Sequence, residues 1–94
     1  MKPAIKRRVA RAKDRAANVL KQTGYSIVPS DNSVFCILGV RNKEIRMIRV
    51  TIDEVTDFDI STVKGFDKMP ANCSMEIWCK KINRPHFEIM EIRE

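Results

Sequence analysis

The chain has 94 residues, 44% hydrophobic and 32% charged, with a formal net charge of +6. That length supports one domain with a single core, and the balance of apolar and charged residues excludes a disordered tail. No apolar run approaches the ~20 residues a membrane-spanning helix needs, and no signal-peptide core follows the basic start, so the expectation is a cytoplasmic protein with no membrane partner.

The first element is a helix from about Pro3 to Gln22, with Pro3 in the first turn and Gly24 as a left-handed stop. Ile5, Val9, Ala12, Ala16, Val19 and Leu20 recur at helical spacing and define its buried face. Arg8, Arg11 and Arg15 form a stripe beside that face with Arg7 near it, while Lys6 and Lys13 flank the other side. Residues 1–21 hold eight basic residues against the single acid Asp14, so the rest of the chain sums to −1. The basicity belongs to one element.

Tyr25 to Val28 reads as a short strand ending at Pro29, and the polar turn Ser30, Asp31, Asn32 and Ser33 follows. Val34 to Val40 is a continuous apolar run, the pattern of a strand covered on both faces. Asn42-Lys43 suits a two-residue hairpin loop into a strand from Ile45 to Ile52, pairing Val40 with Ile45 and Cys36 with Arg49. The acidic link Asp53, Glu54, Asp57 and Asp59 leads into a helix from about Ile60 to Lys68, closed by Met69-Pro70. Ser74 to Lys80 and His86 to Ile92 alternate as strands, joined by a loop holding Asn83-Arg84-Pro85. The expected fold class is α/β, in the order α-β-β-β-α-β-β, with helices packed on a mixed sheet of about five strands.

Cys36, Cys73 and Cys79 are odd in number and form no CxxC pair, and His86 is the only histidine. They read as small hydrophobes, not as zinc ligands or disulfides, so no metal or other cofactor is expected. Trp78 has two readings: an anchor in an exposed apolar patch with Met75, Ile77 and Cys79, or a ring covered by a neighbouring element. Lys80, Lys81 and Arg84 make a second basic cluster, which extends a phosphate-binding surface only if it shares a side with the first helix.

The segments LKQTGYSIV, SVFCILGV, IRMIRVT and MEIWCKK...RPHFEIMEI resemble, in pattern and order, the PD-(D/E)XK nuclease superfamily, its Holliday-junction-resolvase-like and restriction-endonuclease-like members in particular. The resemblance implies a restriction-endonuclease-like core and a DNA-handling surface. It also implies two strand carboxylates that hold Mg²⁺ and a lysine that activates water. In the hairpin register those positions fall at Cys36, Arg49 and Thr51, so the catalytic set is replaced and no catalytic residue is assigned. A rescue through Asp31 and Glu44 fails because the two lie roughly 30 Å apart along the hairpin. Asp31, Asp53 and Glu54 meet at its open end and remain an alternative cation site for a Mg-dependent endonuclease. The leading expectation is a non-catalytic nucleic-acid-binding module, a pseudoenzyme whose partner is duplex or branched DNA. Arg8, Arg11 and Arg15 are its first contacts, and Arg7 and Lys13 its secondary ones. The other alternative is a homo-oligomeric assembly protein that pairs through a sheet edge or the final hairpin.

Overall fold

A computed structural model describes residues 2–30, 34–66 and 71–93. Two helices and five strands follow one another as α1 (Pro3–Gln22), β1 (Ser26–Pro29), β2 (Ile37–Arg41), β3 (Glu44–Ile52), α2 (Asp57–Lys64), β4 (Cys73–Lys80) and β5 (Glu88–Ile92). The strands form one mixed sheet in the order β1-β2-β3-β4-β5. All neighbours are antiparallel except β3 and β4, which run parallel because α2 carries the chain back between them. No described helix is long and apolar enough to cross a membrane.

The two helices lie on opposite faces and bury separate cores. On one face α1 presents Ala12, Ala16 and Leu20 to Tyr25, Ile37, Ile48, Val50 and Trp78. Alanine at two of those helix positions lets the backbone approach the sheet, and Gly39 completes the fit: a Cβ there would stand 3.3 Å from Leu20 Cδ2. On the other face Val63 of α2 joins Phe35, Met75, Ile77 and Ile92. Trp78 is 1% exposed and meets Phe87 at 5.3 Å with the rings tilted by 51°, so it is a covered core ring. Met75, Ile77 and Cys79 are buried too, which removes the exposed patch proposed for this strand.

The hairpin register is the expected one: Val40 pairs with Ile45, and Asn42 takes the positive φ of 54° that a tight turn demands. Three elements differ by more than one residue from the sequence-based expectation. Helix α2 begins at Asp57 and stops at Lys64, because Thr56 and Asp59 form a reciprocal capping box that starts it earlier. Regular β2 begins only at Ile37. Before it, Val34 and Phe35 turn into the α2-side core while Cys36 and Ile37 turn to the α1 side, so the alternation of a strand is broken. Strand β5 begins at Glu88, after the loop that carries His86. Asp31, Asn32, Ser33, Met69 and Pro70 lie outside the described residues.

Candidate nucleic-acid interface

Helical spacing puts Arg8, Arg11, Ala12, Arg15 and Asn18 along one flank of α1, and the sheet order brings the end of β4 beside that flank. Together with Asp14, Ile52, Lys80, Lys81, Ile82 and Asn83 they line a groove of about 490 Å³. The three arginines of the predicted stripe thus share a cleft with two of the three residues of the second basic cluster. Arg7 and Lys13 are exposed on α1 but lie outside the groove lining, as does Arg84.

The cations are not equivalent. Arg8 donates from both terminal nitrogens to Asp53, at 2.6 and 3.3 Å, and that contact holds the Asp53 carboxyl below its ordinary range. Lys80 directs its ammonium inward, donating to the carbonyls of Lys81 and Arg84. The same loop is closed by the Arg84 N–H on the Lys81 carbonyl, with Asn83 at a φ of 61°. Lys81 pairs with Glu88 at 3.1 Å. Arg11 and Arg15 are exposed and make no ion pair among the described residues, so they are the cations most open to an incoming anion.

The three positions at which the resemblance would place catalytic residues, Cys36, Arg49 and Thr51, take part in the packing and pairing of the fold. Arg49 Nε donates to Asp59 Oδ1 at 2.9 Å and Nη1 donates to the Val34 carbonyl at 3.1 Å. Burial alone would raise the Asp59 carboxyl. The Thr56 N–H and hydroxyl together with the Arg49 guanidinium outweigh that effect and hold it below its ordinary value. Cys36 packs partly against the α1-side core, and Thr51 pairs with Cys79 across the parallel ladder. Of the alternative cation ligands, Asp31 lies outside the described residues, Asp53 is engaged by Arg8, and Glu54 is exposed. No group of three His, Cys, Asp or Glu side chains among the described residues is placed to hold a metal ion.

A second polar centre escaped the sequence reading. Arg46 forms a two-pronged pair with Glu76, at 2.8 and 2.5 Å, and Glu76 also accepts from Ser74 Oγ at 2.9 Å and Trp78 Nε1 at 3.1 Å. Glu76 is 5% exposed. Burial pushes its carboxyl up, and the Arg46, Trp78 and Ser74 donors outweigh burial, leaving it below the ordinary value. The Arg46 guanidinium also lies over the rings of Tyr25 and Trp78, at 5.2 and 5.3 Å. Glu76 alternates onto the same strand face as Trp78, a buried-face acid whose signal was the need for a cation on a neighbouring strand. Among the groove residues, Asn18 was missed, although its helical spacing from Arg11 and Arg15 is the signal that points to it. Ile82 and Asn83 carried no signal before the sheet order was known.

No protein-family model matches the chain, and no curated protein matches it by sequence.

Proposed function

We propose that this protein is a non-catalytic nucleic-acid-binding module on a PD-(D/E)XK nuclease-like scaffold, with DNA as its partner. The observation that carries the proposal is the convergence of Arg8, Arg11 and Arg15 with Lys80 and Lys81 on one groove containing a single acid, Asp14. Cations so arranged displace condensed counterions from a phosphate backbone, and that release drives salt-dependent affinity. The non-catalytic part of the reading is supported by the residues at the positions where the resemblance would place two acids and a lysine. Arg49 is committed to Asp59 and would repel a cation, and Cys36 and Thr51 supply no carboxylate. A cytoplasmic setting agrees with the three free thiols of Cys36, Cys73 and Cys79.

The test is a polarisation titration with labelled duplex and branched DNA at several salt concentrations. With Arg11 and Arg15 as the unpaired cations the affinity should fall with salt at a log–log slope of about −2, and Arg11→Glu should flatten that slope by about one contact or more. No binding at low salt overturns the proposal.

The assembly reading has its own support at the free edge of the sheet, where Ile89 and Met90 of β5 are exposed. Solution mass tests it, and a strict monomer at high concentration ends it.

A further inference from the structure

The groove differs from a plain phosphate track. Its lining also holds an apolar strip of the half-buried Ile52 at the end of β3 and the exposed Ile82 at the loop tip, with the buried Ala12 of α1. Ile82 is 64% exposed, yet its loop is pinned by the Lys80 ammonium on the Lys81 and Arg84 carbonyls. An apolar side chain thereby stands exposed at the lip of a cationic cleft. Asn18 and Asn83 add two exposed amides with no side-chain hydrogen bond among the described residues, and each can both donate and accept. Arg8, Arg11 and Arg15 succeed one another by about 4.5 and 6 Å along the helix axis, a ladder of cations beside the strip.

We infer that the groove takes an unpaired stretch of single-stranded nucleic acid, with a base face on the Ile82–Ile52 strip and its phosphates on Arg11 and Arg15. The inference rests on the nucleic-acid reading above and narrows it to one class of ligand. A double helix keeps its base faces stacked inside, whereas an unpaired base exposes both its face and its hydrogen-bonding edge. A cleft of about 490 Å³ suits a nucleotide and its neighbour's phosphate. Asp14 opposes phosphate at its own position and leaves the arginine side of the groove as the backbone path. The Arg8–Asp53 pair bounds that path at the N-terminal end of the stripe.

The experiment compares single-stranded DNA, single-stranded RNA and duplex DNA of equal length in the same low-salt polarisation assay, with wild type and Ile82→Ser. One or both single strands should bind at least about tenfold tighter than duplex, and Ile82→Ser should weaken the single strand about threefold and the duplex by a smaller factor. Ile82 lies on the surface, and an unchanged circular-dichroism melt verifies that the variant folds. Duplex binding as tight as the better single strand overturns the inference, as does an unaltered Ile82→Ser, and both leave the nucleic-acid reading standing. Failure of all three ligands to bind overturns that reading too.

Discussion

Replacing Arg46 with methionine keeps most of the side chain's bulk and removes the cation that compensates Glu76. The stranded carboxylate is 5% exposed and retains only the Ser74 hydroxyl and the Trp78 indole as donors. Breaking one half of a buried ion pair costs about 3–5 kcal/mol. Against a total stability of about 5–14 kcal/mol for a chain of this length, that is a large fraction. The melting midpoint should fall by at least about 12 °C, since each kcal/mol moves a domain of this size by several degrees. Adding Glu76→Gln to Arg46→Met removes the charge, keeps an oxygen for Trp78 Nε1, and should recover most of the loss. The dependence on pH has opposite signs in the two proteins. In wild type the Glu76 carboxyl sits below its ordinary 4.5, so its contribution is present above that pH and is lost as pH falls through the lower folded value. In Arg46→Met burial dominates and raises the carboxyl, so the destabilisation is greatest at neutral pH and eases on acidification. Urea unfolding followed by far-ultraviolet circular dichroism measures both effects. A loss under about 1 kcal/mol at neutral pH, or a gap that does not narrow toward about pH 4, refutes the reasoning.

Gly39→Ala places a Cβ at 3.3 and 3.4 Å from the two Leu20 methyls and 3.4 Å from the Tyr25 ring, and should cost about 1–3 kcal/mol in the same unfolding assay. Thr56→Ala removes the hydroxyl that accepts from the Asp59 N–H at 3.1 Å, with an expected loss of about 1 kcal/mol that Thr56→Ser restores. In thiol labelling of the native protein at about pH 8, Cys36 and Cys73 should react ahead of Cys79. Cys79 is 1% exposed, and burial followed by the charge of Glu88 pushes its thiol up, so its labelling should await unfolding.

Local chemistry made much of the fold legible. Pro3 and Gly24 bracket α1 at its observed ends, and Asn42 marks the hairpin whose register then follows. The acids before α2 complement a helix dipole in sequence terms, and only the geometry shows Asp59 closing a capping box on Thr56. The apolar run Val34–Val40 hid a change of face, since apolar residues serve either core equally well. Arg49 looked like a mere vacancy because its partner sits on a helix whose placement depends on the strand order. The second wall of the groove was illegible for the same reason: nothing local says that β4 ends beside α1.

The basic residues of this chain consequently divide into two populations with different freedom to change. Arg46 and Arg49 are anchored to buried acids, and their substitution is felt throughout the fold. Arg11 and Arg15 hold nothing up, and the tip residues Ile82 and Asn83 sit on a four-residue turn outside both cores. Substitutions at these groove positions should therefore cost little stability, whereas those at the two anchored arginines should cost much.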